Sequence, residues 1–326
     1  MRYVNLGSSG LKVSQLCLGC MSFGKGQMHG SWTLGQEESK PFFRIAIENG
    51  INFFDTADAY GEGASELVVG AALREYARRD EVVITTKFLA PTGSGQNERG
   101  ASRKHIMAAV DASLRRLQVD YIDLYLQHGI DPTTPMEETL RALDDLVRTG
   151  KVLHIGASNY KAWQLAKAIK LQALNRWTPF TSMQVQYNLI YREEEREMIP
   201  LCQDQGIGVT AWSALARGFL AGNRSADGPG KTARAKGDAF ARQLYFRKED
   251  FAVQEQLAKV AAARGVSPMQ VALAWIKGRP GLTAPIIGAT RVEQLEQAIA
   301  ALELELSNEE RVLLENAYVT RSPAFG

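Results

Sequence analysis

The feature that most constrains this chain is an alternation. A short apolar, strand-like run is followed by a helical pattern, and this happens eight times. The strand-like runs fall at 15–19, 51–55, 82–87, 122–127, 152–157, 182–186, 207–212 and 284–288. Helical patterns occupy about 36–48, 64–78, 102–117, 136–149, 160–173, 193–205, 251–277 (broken near Ser267-Pro268) and 291–301, and a last helix covers about 307–316. Ser102 and the box Ser307-Asn308-Glu309-Glu310 mark helix starts, while Gly150 and Gly206 mark helix ends. Ahead of the first unit, Tyr3–Leu6 and Leu11–Val13 flank Gly7-Ser8-Ser9-Gly10, which reads as a hairpin.

Strands alternating with helices call for a parallel sheet. A closed eightfold barrel and an open doubly wound sheet both satisfy that pattern. The open sheet would place G-x-G-x-x-G after its first strand, and Gly19-Cys20-Met21-Ser22-Phe23-Gly24 lacks that spacing. The unit count, and ionisable residues gathered just after strands 2, 3 and 4, favour the barrel. The expected fold is therefore α/β: a (β/α)8 TIM barrel with an N-terminal β-hairpin and long loops on its active-site face. A chain of 326 residues suits one such domain over 1–326.

Bulk properties exclude several roles. With 38 basic and 36 acidic residues, there is no electrostatic case for nucleic acid or an anionic membrane. No stretch approaches the ~20 apolar residues that span a bilayer, and the start lacks the apolar core of a signal peptide. A cytoplasmic protein acting on a small molecule is the expectation. Cys17 and Cys20 form a Cys-x-x-Cys. On a strand these two face opposite sides, and no second pair completes a zinc set, so core packing is the reading for them and for Cys202. No metal is expected.

Chemistry concentrates in Asp55, Tyr60, Lys87 and His128. Three of them end strand runs, and Tyr60 follows Asp55 in the loop Ala57-Asp58-Ala59-Tyr60-Gly61. Singly, each has an ordinary structural explanation: a cap, an ion pair, a core histidine, loop packing. Together they can form a tuned phenolic acid. An ammonium ~4 Å from a phenolate, at an effective dielectric of ~20, attracts it by ~4 kcal/mol before desolvation. Half of that would lower the Tyr60 pKa by more than a unit. Asp55 would keep Lys87 charged, and His128 would orient the substrate oxygen. Of the other histidines, His105 lies near a helix start, His154 mid-strand, and His29 in the first long loop within reach of a substrate. The connections 20–35, 88–101 and 213–250 are long and overhang the same face. Segment 221–238 is compositionally the least ordered and reads equally as a lid or as plain surface. Phe23, Trp32 and Phe88, with Met21, are expected to form an apolar substrate wall.

These residues resemble the aldo-keto reductase family over essentially the whole chain. The resemblance is carried by Asp55-Thr56-Ala57-Asp58-Ala59-Tyr60-Gly61, Thr85-Thr86-Lys87, Asp120 through His128, Ile155-Gly156-Ala157-Ser158-Asn159 and Gln184-Val185-Gln186-Tyr187-Asn188. Trp212 through Gly218 and Ile286 through Arg291 strengthen it. The long loop after strand 7 is similar to that of the bacterial branch described as aryl-alcohol dehydrogenases. The resemblance implies a barrel that binds NADP(H) in extended form, with the catalytic tetrad on Asp55, Tyr60, Lys87 and His128. It implies Ser158, Asn159 and Gln184 on the nicotinamide carboxamide, Trp212 on its ring, and Ser213, Leu215, Arg217 and Gly218 along the pyrophosphate. Thr290 and Arg291 would meet the 2′-phosphate, with Gln294 and Gln297 nearby. Gly19, Cys20, Met21, Ile287 and Gly288 would complete the groove. Two positions depart from the family: Ala298 stands where Asn is usual, and Ala214 where Pro is usual. The implied activity is NADPH-dependent reduction of aldehydes or ketones, on aryl or bulky hydrophobic substrates. The alternative is an NADP(H)-binding regulatory module like potassium-channel β-subunits. A Schiff-base aldolase using Lys87 is a further rival.

Overall fold

The computed structural model describes residues 1–26, 32–222, 224, 230 and 232–323. His29 therefore lies outside the described residues, as do 223, 225–229 and 231 of the suspected lid. The N-terminal strands β1 (Tyr3–Asn5) and β2 (Lys12–Ser14) pair antiparallel, with Val4 opposite Val13. Eight further strands follow: β3 (Cys17–Gly19), β4 (Phe53–Asp55), β5 (Val83–Phe88), β6 (Ile122–Gln127), β7 (Val152–Ser158), β8 (Phe180–Gln186), β9 (Gly208–Trp212) and β10 (Leu282–Ile287). They close into a parallel barrel in the order β10-β3-β4-β5-β6-β7-β8-β9.

Helices wrap the barrel: α1 (Gln36–Glu48), α2 (Ala64–Tyr76), α3 (Arg103–Leu117), α4 (Met136–Arg148), α5 (Ala162–Asn175) and α6 (Met198–Asp204) each follow a strand. The connection after β9 carries α7 (Ala233–Gly237) and α8 (Ala239–Leu244) before α9 (Lys248–Arg264) and α10 (Pro268–Lys277). The expected break is real, because Ser267 caps α10 through a reciprocal box with Gln270 and Pro268 opens the helix. α11 (Val292–Ala300) and α12 (Asn308–Glu315) complete the chain. The helix expected over 193–205 is shorter. Glu193–Glu195 form only a 3-10 turn before α6. Glu193 is drawn instead to Tyr318 and the Arg321 N–H, and Glu195 to Arg192 and Arg279, so tertiary ion pairs override local helix preference there.

Strand alternation divides the core into two layers. Cys17, Phe53, Val83, Leu124, Leu126, Ala284 and Ile286 point inward, where the hairpin residues Leu6 and Val13 close the N-terminal end. Leu18, Phe54, Ile84, Phe88, Tyr125, Ile155, Met183 and Val209 point outward against the helices. The same period of two aims Gly19, Asp55, Lys87, Ser158, Gln184 and Trp212 at the C-terminal mouth. α2 approaches α3 so closely that a Cβ at Gly70 would stand 2.1 Å from the Leu117 carbonyl oxygen. We expect Gly70→Ala to cost about 3 kcal/mol of stability through backbone displacement. An unchanged urea midpoint would show that the two helices separate freely.

Candidate active site

The mouth of the barrel opens into a cavity of about 780 Å³. Lys87, fully buried on β5, is the centre of the polar network below it. Its Nζ donates to Asp55 Oδ1 at 2.7 Å and to the Thr56 carbonyl at 2.7 Å, and it lies 3.4 Å from the Tyr60 hydroxyl. Gln184 Nε2 holds the other Asp55 oxygen at 2.8 Å. Tyr60 and His128 meet edge to face, with ring centroids 5.8 Å apart. The structure thus brings Asp55, Tyr60, Lys87 and His128 together from β4, the loop after it, β5 and the end of β6.

The electrostatics differ from the expectation in one respect. Burial raises the Tyr60 pKa by more than Lys87 lowers it, so the phenol sits above its ordinary value. Tyr60 is half-buried at the cavity edge, and it stays protonated at neutral pH. Burial pulls the Lys87 pKa down, yet Asp55 and Tyr60 reverse this, and the ammonium is held above its usual range. A buried, hydrogen-bonded, protonated lysine is a poor Schiff-base nucleophile, which removes the physical basis for the aldolase reading. Desolvation, helped by Lys87, pushes His128 down to about 3, so it is a neutral imidazole at working pH.

The rest of the rim is less evenly distributed than expected. Gly19, Met21, Ser158, Asn159, Gln184, Trp212, Ser213, Leu215, Arg217, Gly218, Ile287, Gly288, Thr290 and Gln294 all line the cavity. Asn159, in the left-handed conformation at φ 56°, links several of them. Its Nδ2 donates to the His128 carbonyl (3.1 Å) and Ser158 Oγ (3.0 Å), and its Oδ1 accepts from Trp212 Nε1 (2.9 Å). Asn159 therefore positions Trp212 and His128, and much of its amide is already committed. Gln294 Oε1 accepts the Thr290 and Arg291 N–H groups at 2.9 and 3.2 Å, so the start of α11 is partly capped from within. Arg291 and Gln297 are exposed and do not line the cavity. Ala298, on the core-facing side of α11, is fully buried.

Four expected contacts are corrected. Cys20 follows inward-facing Gly19, so it points outward into the helix-facing core, with Sγ donating to the Leu18 carbonyl. Phe88 follows inward-facing Lys87 and for the same reason stacks outside the barrel on Tyr125, with centroids 5.0 Å apart. Phe23 is buried between Phe42 and Phe43. Trp32 is buried and carries the Arg234 guanidinium on its ring at 4.6 Å. None of the four borders the cavity, whose apolar wall comes from Met21, Ile130, Pro132 and Phe240.

Sequence reasoning named Arg217 but missed the arginine cluster to which it belongs. Arg217 and Arg234 donate to buried Asp238 Oδ2 at 2.7 and 3.2 Å, and Arg224 lies 3.9 Å from it. All three arginines line the cavity. Burial and Arg217 lower the Arg234 pKa to about 10, which leaves it charged at neutral pH. Three guanidiniums around one carboxylate leave an excess of positive charge facing the cavity. Beside them, the buried Ser22 Oγ has no hydrogen-bond partner among the described residues, and a Cβ at Gly288 would stand 3.5 Å from Ser22 Oγ and 3.9 Å from Arg234. Ser213, Ala216 and Arg217 all take positive φ there, a strained backbone of the kind found at ligand clamps. The resemblance places Arg217 along the pyrophosphate, but Arg224 and Arg234 are marked only by lying inside the suspected lid.

Comparison with known proteins agrees with this architecture. Residues 15–318 match the profile of the Aldo/keto reductase family. The chain belongs to that family. It is similar to a versiconal hemiacetal acetate reductase of Aspergillus parasiticus, at 41% identity over 99% of this chain and 98% of the relative. A Schizosaccharomyces pombe protein provisionally named aryl-alcohol dehydrogenase C977.14c is 40% identical over 97% of this chain and 95% of its own length. The uncharacterized oxidoreductase YrpG of Bacillus subtilis is 38% identical over 95% and 93%. Membership implies an oxidoreductase acting between carbonyl and alcohol. Among the described residues, no helix is long and apolar enough to cross a membrane and no cluster of side chains is suited to a metal ion.

Proposed function

We propose that this aldo-keto reductase reduces aldehydes or ketones, preferentially aryl or bulky apolar ones, with NADPH. The observation that carries the reading is the chain from Asp55 through Lys87 to the Tyr60 hydroxyl at the edge of an apolar cavity whose other side is cationic. The residues present suit the cofactor: the partnerless Ser22 hydroxyl, the space at Gly288 and the arginine cluster together favour a bound polyanion. Arg217, Arg224 and Arg234 would hold the diphosphate, Trp212 would lie against the nicotinamide, and Arg291 would reach the 2′-phosphate from outside the cavity. When bound, the cofactor supplies the hydride. Tyr60 delivers the proton to the carbonyl oxygen, and Lys87 steadies the phenolate left behind. Neutral His128 donates one hydrogen bond to the same oxygen and fixes its direction.

The test is loss of NADPH absorbance across a panel of aryl aldehydes, quinones and bulky ketones, with NADH in parallel. Turnover favouring NADPH supports the reading, and tight NADPH binding with no turnover anywhere in the panel would count against it. Two variants separate the anion contacts. Arg234→Ala should weaken NADPH and NADH alike, by about tenfold or more, because both carry the diphosphate. Arg291→Ala should weaken NADPH by a similar factor and leave NADH nearly unchanged. Titration by tryptophan fluorescence reads both, and equal losses in Arg291→Ala would remove its assigned role.

A further inference from the structure

The substrate end of the cavity has a polar group whose orientation is fixed by the protein. In the closed strand order, the loops after β6 and β7 lie across the mouth from those after β10 and β3. That sector supplies His128, Ser158 and Asn159 at the reacting edge, and Ile130, Pro132 and Gln164 beyond it. The Asn159 bond to the His128 carbonyl ties its two loops together. The arginines, Thr232 and Thr290 belong to the loops after β9 and β10.

Gln164 is the third residue of α5. Its Oε1 accepts the Lys161 backbone N–H at 2.8 Å, as a helix-capping side chain does. That bond settles which end of the carboxamide is which, because a flipped amide would set NH2 against an N–H donor. Nε2 is therefore the end left to face other groups, and it makes no hydrogen bond among the described residues. An amide donor on a cavity wall that also carries Ile130 and Pro132 gains little from an apolar ligand and much from an oxygen acceptor.

We propose that Gln164 is a specificity-determining residue, whose Nε2 donates to a second acceptor oxygen on an aryl carbonyl substrate, remote from the carbonyl being reduced. The preferred class is then alkoxy-, acyl- or quinone-type aromatics over plain aryl aldehydes. This inference rests on the reductase reading above.

The experiment compares kcat/KM, with NADPH, for benzaldehyde, the three methoxybenzaldehydes and 1,4-naphthoquinone in the wild-type protein, Gln164→Glu and Gln164→Met. Glu keeps an oxygen on the Lys161 N–H and replaces the donor by an acceptor, so α5 stays capped. At least one acceptor-bearing substrate should lose about tenfold in both variants, mostly in KM, with benzaldehyde changed less than twofold. Ratios of acceptor-bearing to plain substrate that are unchanged in both variants would overturn the role of Gln164 while leaving the reductase reading intact. A wild-type protein that reduces none of these, nor any bulky ketone of the wider panel, would overturn the reductase reading, and this inference with it.

Discussion

Tyr60→Phe will lower kcat for carbonyl reduction by about a hundredfold to ten-thousandfold and leave NADPH affinity nearly unchanged. The range is what a positioned proton donor contributes. The variant is conservative for a structural reason. The ring contacts of Tyr60, to His128 at 5.8 Å and to the Lys87 ammonium at 4.9 Å, do not need the hydroxyl. Lys87 loses only its longest bond, 3.4 Å, and keeps Asp55 and the Thr56 carbonyl at 2.7 Å each, so no buried charge is orphaned. Burial holds the Tyr60 pKa above its ordinary value, so the wild-type acid is protonated throughout neutral pH. Reduction should therefore stay level from pH 6 to 8 and decline only as the alkaline limb is reached. Stopped-flow single turnovers with and without the hydroxyl separate chemistry from cofactor release. Retained single-turnover rates in Tyr60→Phe would mean another group gives the proton.

Asp58→Asn will stabilise the protein at alkaline pH and do almost nothing at pH 4. Asp58 lies between Asp55 and Tyr60 in the catalytic loop and is 1% exposed, and among the described residues neither carboxylate oxygen makes a well-formed hydrogen bond. Its backbone N–H is committed to the Lys87 carbonyl at 3.1 Å. Desolvation, then the Glu66 carboxylate on α2, raise its pKa to about 8, while Arg116 on α3, the adjacent Ala59 N–H and Lys87 on β5 pull only partly the other way. The buried hydroxyl of Tyr125 on β6 feels the same carboxylates and likewise has no hydrogen-bond partner among the described residues. The folded state thus binds the Asp58 proton more tightly than the unfolded chain does, whose carboxyl keeps the ordinary value of 3.8. Stability from this group is complete below that value and is lost as pH rises toward 8, with a total of about 4–6 kcal/mol. Asn has the same shape and no proton to lose. Urea midpoints at pH 4.5 and 8.5 should therefore diverge between wild type and variant, with the gap at pH 8.5 worth several kcal/mol. A gap independent of pH would mean that Asp58 ionises normally, held by a bridging partner such as a buried water.

The same loop shows where sequence reading succeeds and where it stops. The tetrad was legible because strands end where polar residues begin, and the barrel turns those ends to one face. The directions of Phe88 and Cys20 were also within reach, since each directly follows a residue aimed inward and a strand alternates. Phe23 and Trp32 were not. They lie off the strands, where no period fixes a side chain, and the packing of Phe42, Phe43 and Arg234 decides their place. The arginine cluster was hidden for a related reason. Arg224, Arg234 and Asp238 lie in the compositionally least ordered segment, 221–238, with Arg217 just ahead of it, and only folding of the loop after β9 sets three guanidiniums around one carboxylate.

By itself, then, the sequence determined the eight strand–helix units, the hairpin ahead of them, the break at Ser267-Pro268 and the four residues at the mouth. These follow from local periodicity, capping and turn chemistry, which act over a few residues. Tertiary structure alone decided the balance of charge. Burial against Lys87 at Tyr60, the deeply buried carboxylate of Asp58, the shortening of the 193–205 helix and the fixed amide of Gln164 each depend on neighbours brought close by folding or on the depth at which a group is held. Desolvation and pairing depend on distance and burial, and neither is a property of residues read in order.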